Sequence, residues 1–257
     1  VCAQEVRESN FPPEVRHHVV LFSGLPGDAD HEAEFRILTS RAFKLLLATG
    51  FQESAIDVLI HGPKREKESV LQINKTAIAE HFEKLRQSLA RQDVFWAIFV
   101  GHADHDGEHA RFHLPGPDLR AVDYADLFDS LPCERQIIVV STASSGWFIE
   151  PLSKPGRIIV TATARDAEPN ETEFPRALLR ACGEPLDSLD MDEDGSVSLL
   201  EVFAKTHEFV QAAYAADQRA VTEHATLDDN GDGKGTEWEE IFAEQRRIAK
   251  LGGDWNG

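Results

Sequence analysis

Val94-Phe95-Trp96-Ala97-Ile98-Phe99-Val100 (VFWAIFV) is an unbroken apolar run of seven residues, rich in β-branched and aromatic side chains and closed by Gly101. A half-solvated strand would alternate with polar residues, and a surface helix would show them on one face, so a run this short and this uniform reads as a strand covered on both sides. Four related runs occur, at residues 18–23, 55–60, 136–140 and 157–162. Between them lie stretches of helical period. Residues 31–48 place Phe35, Leu38, Ala42, Leu45 and Leu46 on one face with Gly50 as a stop, residues 75–91 do the same with Ile78, Phe82, Leu85 and Leu89, and 124–131 is a shorter helix. Strands separated by helices predict an α/β chain: a mostly parallel sheet with helices on both faces, three layers in all. Such sheets bind ligands beyond the carboxyl ends of their strands. Residues 104–116, with Asp106-Gly107 at their turn, predict a hairpin in one of those strand-end loops.

The chain of 257 residues is 42% hydrophobic, enough for a sizeable core, and no run approaches the roughly 18 to 20 apolar residues of a membrane helix. No membrane insertion is therefore expected. A net charge of −19 opposes binding to nucleic acid and to anionic membranes. The acidity is local: residues 183–240 hold 16 Asp and Glu against 3 Lys and Arg. Cys2, Cys133 and Cys182 are too few and too scattered for a disulfide framework or a zinc cluster, although one bridge is compatible with them. Val1-Cys2-Ala3 has small residues of the kind that precede a signal-peptidase cut, the basis for expecting an extracytoplasmic location. The expected organisation is an arm (1–16), an α/β domain (17–182), a helical acidic region (183–250) without further strands, and a tail (251–257).

Three strand ends carry polar clusters: Gly101-His102-Ala103-Asp104-His105-Asp106, then Val139-Val140-Ser141-Thr142-Ala143-Ser144-Ser145-Gly146-Trp147-Phe148, then Thr161-Ala162-Thr163-Ala164-Arg165-Asp166. A histidine after one buried strand and a small-residue turn after the next, 42 residues on, is an order used for peptide cleavage. Together with VVLFSGLPGDADHEAEF, RFHLPGPDL and IIVTATARDAEPNETEF, these stretches resemble bacterial relatives of the caspase and legumain superfamily of cysteine peptidases over roughly residues 17–240. The resemblance implies a caspase-like three-layer fold with a His–Cys dyad at the strand ends. His102 falls at the dyad histidine. The caspase-like pattern puts the cysteine at Ser144 and the legumain-like pattern puts it at Ala143; neither residue is a thiol.

The missing thiol changes the chemistry. A thiolate attacks with modest help, whereas a serine hydroxyl needs a well-oriented general base. The reading that follows is a pseudopeptidase serving as a binding or scaffolding subunit for a protein or peptide partner, within a larger assembly. The alternative is a hydrolase using Ser144 or Ser145 with His102, oriented by Asp104 or Asp106. By the same resemblance, Arg165, Asp166 and Glu168 fall where a specificity pocket is lined. The other histidines, His17, His18, His61, His81, His105, His109 and His113, read as surface or loop residues rather than ligands, with His105, His109 and His113 alternating along the hairpin as the only metal-like grouping.

The acidic region carries its own signal. Asp190, Asp192, Asp194, Ser196, Ser198 and Glu201 occupy positions 1, 3, 5, 7, 9 and 12 of a calcium loop, with Gly195 at position 6. The spacing predicts Ca²⁺ bound by three carboxylates, the Ser196 carbonyl, Ser198 directly or through water, and both oxygens of Glu201. A second register holds Asp228, Asn230, Asp232, the Lys234 carbonyl, Thr236 and Glu239, with Gly235 where an apolar residue is usual. Helices predicted at 174–181, 199–216 and 238–250 flank the loops. Either a true EF-hand pair or single loops set among the domain's own helices fits this pattern.

Overall fold

The computed structural model describes residues 15–62, 70–165 and 170–250. Strand β1 (His17–Ser23) leads into α1 (Ala29–Ala48), whose first N–H groups are capped by the Asp28 carboxylate. Next come β2 (Ile56–Ile60), β3 (Val70–Gln72), α2 (Lys75–Ser88, capped by Asn74) and β4 (Val94–Val100). A small antiparallel sheet follows, of β5 (Ala103–His105), β6 (Ala110–Phe112) and β7 (Leu119–Arg120), ahead of α3 (Ala121–Asp129) and β8 (Arg135–Val140). After a tight turn at Ser145–Phe148 come α4 (Ile149–Leu152), β9 (Arg157–Thr161), α5 (Phe174–Ala181), α6 (Leu186–Leu189) and α7 (Leu199–Ala216). The chain closes with β10 (Thr226–Asp228), β11 (Thr236–Glu237) and α8 (Trp238–Lys250).

The main sheet runs β11-β10-β9-β8-β4-β1-β2-β3, parallel from β3 to β9, with β10 and β11 antiparallel at one edge. Alternate residues of each strand face opposite layers, so Val20, Phe22, Phe95, Phe99 and Ile138 pack under α2 and α3 while Val19, Leu21, Val139 and Val160 pack under α1, α5 and α7. Phe22 stacks on Phe99 at 4.5 Å, and Tyr124 meets both edge-on. Each such fully buried aromatic contributes about 1.5–3 kcal/mol. The result is the three-layer α/β architecture, mostly parallel and flanked by helices, that the strand and helix periods predict.

Two expectations fail. The acidic C-terminal region is not free of strands: β10 pairs with β9 and carries the second acidic loop onto the sheet edge. Thr226-Leu227-Asp228 is too short to show a period, and only the unpaired flank of β9 makes it a strand. Among the histidines read as surface or loop residues, His17 and His18 lie in β1 and His81 is buried on α2. The residues read as a signal remnant, residues 1–14 of the arm, the tail (251–257), and Asp166 and Glu168 lie outside the described residues. Among those described, Cys133 and Cys182 are free thiols, and burial raises both pKa values, Cys182 to about 11.

Candidate functional site

The parallel strands end where β4 and β8 deliver His102 and residues 141–148 to one edge. His102 and Ala143 line the same cavity, of about 40 Å³, with Phe35, Ser141, Thr142 and Glu171; that is room for a few waters. His102 sits 4.7 Å from His31 and 5.0 Å from Phe35, ring centre to ring centre, and both contacts are edge-on. Burial pushes the His102 pKa below its ordinary value, which favours the neutral imidazole. His31 goes the other way, raised first by Glu171 and then by Asp28, the two carboxylates bonded to its ring nitrogens. The two neighbouring histidines are thus shifted in opposite directions, His102 toward the neutral ring and His31 toward the protonated one.

The residues of the presumed dyad do not engage each other. His102 Nε2 lies 3.0 Å from the Pro26 carbonyl and therefore carries the proton on that nitrogen, and among the described residues no hydrogen bond joins it to Ser144 or Ser145. Ser145 is fully buried; its Oγ accepts from the Thr163 N–H at 3.0 Å and meets the Thr163 hydroxyl at 3.1 Å. The Ser141 hydroxyl donates to the Phe99 carbonyl and the Thr142 hydroxyl to the Ala143 carbonyl. Ser144 has left-handed backbone (φ 55°, ψ 18°) and is 3% exposed. Gly146 is required by packing: a Cβ there would lie 2.3 Å from the Ala164 carbonyl carbon, so the turn can press against the end of β9 only without a side chain. Nor do Asp104 or Asp106 orient His102. Asp104 pairs with Arg111 and His113, and Asp106 accepts from the N–H groups of Glu108 and His109 to close the hairpin.

Arg165 pairs with Glu150 and lies 4.7 Å over the Trp147 ring, on which His105 stacks at 4.2 Å. With His105 on Trp147 and His113 on Asp104, the hairpin histidines are not gathered around one point, and they form no metal-like group among the described residues.

The first acidic loop is a tight turn that gathers three of the six residues named for it. Asp190, Asp192 and Asp194 bring carboxylate oxygens within 4.8 Å of one another. The turn is held by Asp190 accepting from the Asp194 and Gly195 N–H groups at 3.0 and 2.8 Å and by Asp194 accepting from Ser196 at 2.7 Å; Gly195 has φ 86°. Ser198 and Glu201 form a capping box at the start of α7, and Glu201 reaches back to the Met191 N–H at 2.5 Å. For Asp192, the bond from the Asp194 N–H favours the anion, but burial and the neighbouring charges of Asp194, Glu201 and Asp190 outweigh it and raise the pKa. Such mutual repulsion is what a divalent cation relieves.

The second loop is built otherwise. Asp228, 2% exposed, accepts from the Ser153 hydroxyl at 2.6 Å and from the Gly231 N–H at 2.8 Å, so it ties the loop to the segment between α4 and β9. Asn230 and Asp232 accept from N–H groups two residues ahead, Thr236 lies in β11, and Glu239 points to His207 at 3.3 Å instead of into the loop. With a strand entering it, this loop does not form a helix–loop–helix partner for the first. Gly235 is explained by space, since a Cβ would fall 2.2 Å from Thr226 Oγ1.

One grouping escaped the sequence reading. His18, Asp57 and His81, from β1, β2 and α2, bring ring nitrogens and a carboxylate oxygen within 4.8 Å of one another. Strand parity was the available signal: His18 shares a face with Val20 and Phe22, and His81 adjoins Ile78, Phe82 and Leu85 on the buried side of α2. Compared with known proteins, the sequence matches no protein-family model and no curated protein.

Proposed function

We propose that the protein is a calcium-binding, catalytically silent domain of the caspase and legumain type that holds a protein or peptide partner outside the cytoplasm. The observation that carries this reading is the fate of the strand-end polar groups. His102 is engaged by the Pro26 carbonyl, Ser145 by Thr163, and Ser141 and Thr142 by backbone carbonyls, with alanine facing the histidine's cavity. A general base without a nucleophile in reach cannot start acyl transfer. Calcium is assigned to the Asp190–Glu201 loop because three hard carboxylate ligands, Asp190, Asp192 and Asp194, lie within 4.8 Å of one another and the sequence spacing offers further oxygens at Ser196, Ser198 and Glu201.

One observation favours a second reading: the left-handed backbone of Ser144 is the kind of strained turn that lifts a nucleophile in hydrolases. A fluorophosphonate probe separates the two. No labelling with and without Ca²⁺ is expected; labelling abolished by Ser144→Ala and by His102→Ala would establish the hydrolase instead. For the ion, melting is compared in excess chelator and in millimolar Ca²⁺. A ligand bound only by the native state at a hundredfold excess over Kd stabilises by about 2.7 kcal/mol, so an unchanged Tm removes calcium from the reading.

A further inference from the structure

At the opposite edge of the sheet from His102, near the amino ends of β1 and β2, His18 Nε2 lies 2.8 Å from Asp57 Oδ2 and His81 Nε2 lies 3.2 Å from the same oxygen. The second contact is off the hydrogen-bonding angle. His81 Nε2 is a buried polar atom without a hydrogen-bond partner, on a side chain only 8% exposed. A buried nitrogen left unsatisfied is costly unless something fills the gap between it and its neighbours. The 3.2 Å separation is close to the roughly 3.3 Å edge of a tetrahedron with metal–ligand bonds of about 2.0–2.1 Å, whereas the 2.8 Å one is a hydrogen-bond length that an entering ion would widen by about 0.5 Å.

We propose that His18 Nε2, Asp57 Oδ2 and His81 Nε2 form a binding site for a divalent transition-metal ion of the zinc type. Two imidazoles and one carboxylate are a borderline donor set, suited to such ions and poor for Ca²⁺, which takes oxygen ligands almost alone. Three protein ligands leave a further position for water, and His18 and Asp57 keep 15% and 18% of their side-chain surface exposed. The ligands come from β1, β2 and α2, so the ion ties a covering helix to two adjacent strands, and its site is separate from the acidic loops of the C-terminal region.

The full chain, stripped with chelator, is titrated with Zn²⁺ by calorimetry in excess Ca²⁺, which occupies the acidic loops. One Zn²⁺ per chain is expected to bind. His18→Gln and His81→Gln each weaken binding by at least about tenfold, while Asp190→Asn with Asp192→Asn leaves it unchanged. Circular dichroism checks that each variant is folded. Where a variant does not fold, the unsubstituted chain supplies the test: substoichiometric Co²⁺ perturbs the imidazole resonances of His18 and His81 before those of the other histidines. The proposal is overturned if the stripped chain takes up no Zn²⁺ in excess Ca²⁺, if the folded His18→Gln, His81→Gln double variant binds it as tightly as the native chain, or if Co²⁺ reaches other histidines first.

Discussion

Ser144 is one of three non-glycine residues with positive φ among those described, and nothing donates to or accepts from its hydroxyl there. Left-handed backbone costs an L-residue about 1–2 kcal/mol, and part of that is returned by the lower unfolded-state entropy of serine relative to glycine. Ser144→Gly is therefore expected to raise the unfolding free energy by roughly 0.5–1 kcal/mol in urea denaturation. A loss of stability instead would mean that the hydroxyl makes a contact the fold depends on. The left-handed turn could not be read from the string Ala143-Ser144-Ser145-Gly146, because small polar residues suit a nucleophile's turn and a packed corner equally. The positions of His102 and Ala143 on one cavity were legible, since each simply follows a buried strand.

At the scale of elements, β1 and the loop before β4 are clasped by one ion pair. Arg16 meets the fully buried Asp93 carboxylate at 2.5 Å, and the Ala90 N–H donates to it at 2.7 Å. Burial pushes the Asp93 pKa up, but the Arg16 guanidinium and the Ala90 N–H more than reverse this and hold it below the ordinary carboxylate value. A carboxylate with a depressed folded pKa adds stability that is complete above its unfolded pKa, near 3.9, and is lost as pH falls through the folded value. Asp93→Asn should cost about 1–3 kcal/mol at neutral pH, with the gap to the native chain closing below about pH 4. Urea unfolding at stepped pH reads this directly, and a gap that stays constant with pH would show that the charge plays no part. Neither partner is marked by sequence pattern, because 77 residues separate them.

Across the whole molecule, the C-terminal strands make the acidic region part of the main sheet. Thr226 Oγ1 meets Thr161 Oγ1 at 2.7 Å inside the β9–β10 pair, and Gly235 is packed so closely that any Cβ collides with Thr226 and Ile149. Gly235→Ala is expected to cost about 1–3 kcal/mol, the usual penalty for overpacking, and to lower a single unfolding transition. Two calorimetric transitions, only one of them shifted, would show that the C-terminal region unfolds by itself. The sequence by itself determined the layers, the parallel strands, the strand-end histidine and the acidic loop of Asp190, Asp192 and Asp194, because each is written in neighbouring residues through a period of 2 or 3.6 or a loop of twelve. Only the tertiary structure decided that β10 closes the sheet, that Asp228 bonds Ser153 and that His18, Asp57 and His81 meet. These depend on which segments, far apart along the chain, the packed core brings within reach of one another.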